Sequence, residues 1–303
     1  FRRQRQMCIR DRYQREIEIP AAWKGKRIFL YFERTHWLSS VYVGKEEVSK
    51  IDYISIPHNH ELTQWLHPGK KELITFCIDN RYQYDTHKWD HAHSEFTQIN
   101  WNGVLGEIKL VAVDPVYVDD MQVYPDIKNK SIKVKMTVRN CTEHTASGKI
   151  SFHVTGKDYR LQKEVPVTVT DSITYIEEEM FLGKDIHLWN EFHPNLYTLD
   201  CKLTSSVEGQ SYAHEKSTTF GMREVEAGED HIILNGEPIH LRGTVENAVF
   251  PKTGYAPVDD ASWERVLRIL KEYGMNHMRF HSWCPPAAAF RMADKLGVYL
   301  EVE

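Results

Sequence analysis

The sequence predicts a multidomain, mostly β chain in which two β-sandwiches are followed by an incomplete β/α segment. Three observations carry this. Short alternating apolar runs broken by turn residues fill the first two thirds. The pattern then changes near Glu224 to strands alternating with helices. The length of 303 residues suits two ordinary domains plus part of a third.

Residues 1–12 carry five arginines and no hydrophobic period, and are expected to be non-native or disordered. From Tyr13 to Pro115 the runs Arg27–Phe32 and Leu73–Ile78 alternate between turn signals at Lys24-Gly25-Lys26, His67-Pro68-Gly69-Lys70 and Asn102-Gly103. This spacing predicts a jelly-roll-like β-sandwich over 13–115. Residues 116–222, with strands at Ile132–Val138 and Glu164–Val169, read as an immunoglobulin-like β-sandwich of about 100 residues.

In the last part, 223–303, Ile239-His240-Leu241 reads as a strand. A helix is predicted over Ala261–Tyr273, from the spacing of Trp263, Val266, Leu267, Leu270 and Tyr273, with Asp259 and Asp260 ahead of it and Gly274 behind. Met275–Phe280 is the next strand. Pro286 opens a second helix with Ala289, Phe290, Ala293 and Leu296 on one side, Gly297 closes it, and Val298–Glu303 is the third strand. Such a β-α-β-α-β order predicts a parallel sheet, either open and doubly wound or a closed barrel. The 81 residues from Arg223 fall far short of the roughly 250 of a full barrel.

Composition narrows the function. With 41% hydrophobic and 27% charged residues a packed core is expected, and the net charge of -5, with signs alternating along the chain, argues against nucleic acid as a partner. No run approaches the ~18 apolar residues of a membrane span, and the start lacks a secretory signal. The five cysteines, Cys8, Cys77, Cys141, Cys201 and Cys284, show no paired spacing and are expected mostly as small buried hydrophobes.

Three passages, in order, resemble glycoside hydrolase family 2: Thr97–Val104; Leu188-Trp189-Asn190 with His193–Leu199; and Phe220–Val225, which leads through Leu234–Ile239 into Leu241-Arg242-Gly243-Thr244. The resemblance implies that 13–115 is a sugar-binding-like sandwich and that 223–303 holds the first three β-strands of an incomplete (β/α)8 TIM barrel. It implies an exo-acting, retaining hydrolysis of O-glycosidic bonds at the non-reducing end of a carbohydrate. A retaining reaction needs two carboxylates about 5 Å apart, one as nucleophile and one as acid/base. The resemblance places both beyond residue 303, so the chain by itself is expected to be inactive. No cofactor is implied, the oligomeric state stays open, and a periplasmic or secreted location is compatible with the resemblance.

It also implies roles for residues within the chain. Arg279 ends the second barrel strand, where the resemblance implies that an arginine hydrogen-bonds the nucleophile; its bland alternative is a surface salt bridge. His281 and Trp283 follow, one suited to sugar hydroxyls and the other to stacking on a pyranose face, although His281-Ser282-Trp283-Cys284-Pro285 replaces the family's His-Tyr-Pro. Glu246 and Asn247 stand where the family has a His-Glu pair, and either bind hydroxyls or cap the loop through Pro257. Arg242 reads as structural. Glu301 and Glu303 share one side of a strand without being the catalytic pair, and Glu303 borders the pocket at the strand's C-terminal end. In the cluster His87, Trp89, His91 and His93, no further ligand completes a metal set. A substrate contact from Asp90 or His93 is the better functional reading, beside that of an ordinary loop. The rival to the whole assignment is a non-catalytic carbohydrate-binding or adhesive β-module protein, which a half-built parallel sheet with an open edge argues against.

Overall fold

The computed structural model describes residues 10–81, 91, 97 and 101–303. Its first strands are β1 (Arg10–Glu18), β2 (Arg27–His36), β3 (Leu38–Val43), β4 (Glu46–Asp52), β5 (His58–Glu61), β6 (Lys71–Asp79) and β7 (Gly103–Val113). They form two sheets, ordered β1-β6-β3-β4 and β5-β2-β7. In β2 the alternate residues Ile28, Leu30 and Phe32 are buried, and they pack against Val41 and Ile74 of the other sheet, which makes this a β-sandwich. One expectation needs correction. Residues 10–12, assigned to a non-native or disordered leader, are strand: Arg10, Asp11 and Arg12 pair with Asp79, Ile78 and Cys77.

The second sandwich is built from β8 (Val116–Asp126), β9 (Ser131–Asn140), β10 (Ala146–Gly156), β11 (Tyr159–Val169), β12 (Ile173–Phe181), β13 (Tyr197–Val207) and β14 (Gln210–Phe220). Its sheets are β11-β10-β13-β14 and β12-β9-β8. Period-two patterning sets the core: Leu199, Cys201 and Leu203 of β13 face Val134, Met136 and Val138 of β9 in one cluster of buried residues. The described cysteines, expected to be mostly buried, divide evenly. Cys77 and Cys201 are buried, Cys284 is half-buried and Cys141 is exposed.

The passage Leu234-Asn235-Gly236-Glu237 is a hairpin between β16 (Ile232–Leu234) and β17 (Glu237–Ile239), with β15 (Val225–Ala227) completing a three-stranded antiparallel sheet. Asn235 and Gly236 both have positive φ, 55° and 85°, as a two-residue turn of this hand requires. Pro238 is tolerated because β17 is an edge strand. Two motifs meet here. Trp189 is 1% exposed; its backbone N–H donates to Met222 O, Asn235 Nδ2 donates to its carbonyl at 3.0 Å, and the Arg223 guanidinium lies 5.0 Å over its ring.

The remaining elements are β18 (Gly243–Glu246), α1 (Asp260–Glu272), β19 (His277–Phe280), α2 (Ala287–Leu296) and β20 (Tyr299–Val302), with sheet order β18-β19-β20. β18 pairs parallel with β19, opposite Gly243–Glu246 to His277–Phe280. The strand expected at Ile239–Leu241 is therefore corrected: Ile239 ends the hairpin, and the parallel strand starts at Gly243. The helices lie where the capping pattern put them, Asp259 Oδ1 accepting from Ser262 N–H at 2.8 Å. Of the residues expected on one side of α2, Ala289 and Ala293 are buried, with Ala288 and Met292, whereas Phe290 is 37% exposed.

By backbone contacts the chain forms two compact units. One comprises residues up to Ala112 with Gly243–Met292 and Leu300–Glu303; the other is Val113–Arg242 with Ala293–Tyr299. No described helix is long and apolar enough to cross a membrane.

Candidate active site

Strict alternation along β19 builds the site. Met278 and Phe280 are 3% and 0% exposed, and the Phe280 ring meets Trp263 of α1 edge-on at 5.8 Å. His277 and Arg279 therefore project from the opposite face. On β20 the same rule turns Glu301 and Glu303 toward them.

The four side chains and His281 form an interleaved ladder of charge. His277 Nε2 is 3.4 Å and Arg279 Nε 3.2 Å from Glu301; Arg279 Nη2 is 2.9 Å and His281 Nε2 3.7 Å from Glu303. Arg279 Nη2 has the distance of a charge-assisted hydrogen bond, whereas Nε is close to Glu301 without the angle of one. Burial lowers the pKa of His277, against the raising effect of Glu301. The ladder thus brings Arg279, His281 and Glu303 together with His277 and Glu301. His277 carried a signal in the sequence: His277-Met278-Arg279-Phe280-His281 alternates polar and apolar without a break.

Gly243 lies opposite His277 and has no room for a side chain, since a Cβ there would come 2.4 Å from His277 Nδ1. Glu246 pairs with Phe280, so its side chain leaves on the helix-covered face, away from the ladder. Its carboxylate accepts from the backbone N–H groups of Ala248 and Val249 at 2.9 and 3.2 Å, holding Ala248 at φ 56°. Burial raises the Glu246 pKa, and these donors partly offset the rise. Of the two readings of Glu246, capping is the one its contacts support. Asn247 Oδ1 is buried without a donor.

Trp283 calls for a correction. It is 4% exposed, its ring edge-on to Phe280 at 5.3 Å and to Phe250 at 6.1 Å, and its Nε1 donates to Glu246 O. An indole enclosed this way has no free face for a sugar. His281 keeps 40% of its side chain exposed, its ring tilted against that of His91 at 4.9 Å. Arg34 of β2, 7% exposed, donates Nη2 to Cys284 O, a contact across 250 residues that no motif foretells. Asp90, His93, His87 and Trp89 lie outside the described residues. Arg242 is exposed, with Nη2 3.6 Å from Glu191. Among the described residues no three His, Cys, Asp or Glu side chains gather as a metal site.

Chemically, the ladder offers a fixed guanidinium able to hold carboxylates ionised.

Residues 116–223 match a family model described as glycosyl hydrolases family 2. A β-galactosidase of Thermoanaerobacter pseudethanolicus is 23% identical, over 94% of this chain and 38% of that protein. One of Actinobacillus pleuropneumoniae is 26% identical, over 95% and 26%. Among solved structures, Bacteroides uniformis β-glucuronidase 2, covalently bound to cyclophellitol-6-carboxylate aziridine, superposes with a TM-score of 0.79 at 19% identity, covering 97% of this chain and 36% of that one. The β-D-glucuronidase of Dictyoglomus thermophilum gives 0.71 at 20% identity, covering 97% and 50%. The chain spans about a quarter to two fifths of the length of the curated relatives it matches.

Proposed function

We propose that this chain, which matches glycosyl hydrolases family 2 over residues 116–223, is the N-terminal part of an exo-acting enzyme of that family that hydrolyses O-glycosidic bonds with retention of configuration. In this reading 13–115 is the sugar-binding-like sandwich, 116–222 the immunoglobulin-like one, and 223–303 the opening of a (β/α)8 barrel. Supporting it are the three- and four-stranded sheets of the second sandwich and the parallel pairing of β18 with β19 around an intervening helix.

One observation carries the proposal. Arg279 stands at the C-terminal end of β19, on the face away from the helices, where barrel enzymes build their sites. Its role is to orient a nucleophilic carboxylate and keep it ionised; that carboxylate and the acid/base come from strands outside residues 1–303. His281 and Glu303 border the same pocket and bind sugar hydroxyls, and Asp90 or His93, which lie outside the described residues, supply a further substrate contact.

The test is an assay on aryl β-galactosides and β-glucuronides, with the chain alone and with it extended by the coding sequence after Glu303. The chain alone should give no turnover above buffer, and the extended protein should release product of retained anomeric configuration by NMR. Turnover by the chain alone that survives Glu301→Gln with Glu303→Gln, or inversion by the extended protein, overturns the reading.

A further inference from the structure

The first sandwich holds a buried polar chain that the candidate site does not use. Ser39 Oγ on β3 lies 2.6 Å from His58 Nδ1 and 2.7 Å from His60 Nε2, both on β5. His60 Nδ1 is 2.8 Å from Ser49 Oγ on β4, and His58 Nε2 is 2.9 Å from Tyr53 O. Ser39, His58 and His60 are all 0% exposed, so this serine–histidine contact is closed to any substrate. Since β3 and β4 belong to one sheet and β5 to the other, the chain bridges the two layers.

Its proton positions follow from one end. A backbone carbonyl only accepts, so His58 carries its hydrogen on Nε2. In a neutral imidazole Nδ1 is then an acceptor, and the Ser39 hydroxyl donates to it. With its single hydrogen so directed, Ser39 Oγ accepts from His60 Nε2–H. That leaves His60 Nδ1 to accept the Ser49 hydroxyl. Every group is satisfied, with both histidines neutral and of the same tautomer.

We infer that Ser49, His60, Ser39 and His58 form a one-way relay that ties the two sheets of the first sandwich together and that acid dismantles, making this compact unit acid-labile. A second proton on His58 would set its Nδ1–H against the Ser39 hydroxyl, already directed at it, and Ser39 would have to accept from both rings at once. Burying a charge there is also costly without a counter-ion. The titratable groups acting on the pair, among the described residues, are Asp52, which favours a charge on His58, and His58 itself, which opposes one on His60. The ring contacts are Phe32 on His60, Tyr53 on His58 and the two imidazoles on each other.

The direction follows from linkage. Burial holds His60 down at about 3 and His58 below its ordinary value, whereas both titrate near 6.5 in an unfolded chain. As pH falls below about 6.5 the unfolded chain takes up protons that the folded one refuses. Stability then drains until the folded histidines protonate as well. Buried His36, held at about 4, adds a contribution of the same sign. The inference stands whether or not the protein is a glycosidase. Arg279 belongs to the same compact unit, so the candidate site shares its acid lability.

Imidazole nitrogen NMR on the unmodified protein tests the relay. Two histidines should show the Nε2–H tautomer and titrate below their ordinary range, His60 staying neutral down to about pH 4. Either one titrating between pH 6 and 7, or an Nδ1–H tautomer at His58 or His60, overturns it. Thermal melts add a second readout. A His58→Gln, His60→Gln variant should melt lower at pH 7 yet lose less of its midpoint between pH 6.5 and 4, with His36 unchanged in both proteins. An undiminished slope overturns the acid switch, and if the variant does not fold, the NMR result decides.

Discussion

Nη2 of Arg279 lies 2.9 Å from a carboxylate oxygen of Glu303, the residue just past the neighbouring strand β20. Both side chains are well exposed, 38% and 40%, so the pair is worth about 0–1 kcal/mol to the fold. Arg279→Lys should therefore leave the thermal midpoint of the chain nearly unchanged. In a catalytically complete enzyme the same variant should lower kcat about 10²-fold, because lysine keeps the charge but loses the planar fork. Unchanged kcat, or a large fall in midpoint, would make Arg279 a structural residue.

Trp283 separates packing from sugar stacking. At 4% exposure it should cost about 3–5 kcal/mol when cut to alanine, seen as a lower denaturation midpoint. Phenylalanine should recover most of that loss. Weakened carbohydrate binding by the Trp283→Phe variant at full stability would restore the stacking role.

Asp79, 2% exposed, accepts from Arg81 and Arg10, and these hydrogen bonds prevail over burial to hold its carboxyl at about 2. Its folded pKa is depressed, so its contribution is present above the unfolded value near 3.9 and is lost as pH falls toward 2. Asp79→Asn should destabilise by roughly 1–3 kcal/mol at pH 7 and flatten the acid limb below pH 4. A midpoint equal to the parent's at pH 7 would show that the two arginines contribute nothing measurable.

Gly243→Ala probes the ladder without touching a charge. The added methyl would sit 2.4 Å from His277 Nδ1 and 3.0 Å from His277 O, so the ring must move away from its present contact with Glu301. The His277 resonances should shift and its titration midpoint change, while those of His58 and His60 stay in place. An unaltered His277 titration would mean that the close approach is relieved elsewhere.

What the chain specifies by itself is local. The helix starting after Asp259, the two-residue turn at Asn235-Gly236 and the period-two burial of β2 and β13 are written in neighbouring residues, because capping, turn handedness and side-chain alternation act over one to four positions. The family resemblance was legible for the same reason, in contiguous motifs. The ladder was half legible: alternation puts His277, Arg279 and His281 on one face and Glu301 and Glu303 on another strand's face, but only sheet register sets the acids between the bases. Long-range pairing decided the rest. Arg10 and Arg12 are strand because Asp79 and Cys77 lie opposite to pair with them, and Trp283 is buried because Phe250 and Phe280 close over it. Arg34 reaches Cys284 O, and Ser39 meets two histidines of the facing sheet. None of these contacts has a sequence period, since each depends on which strands become neighbours, and burial and hydrogen bonding settle that only once the whole layer has formed.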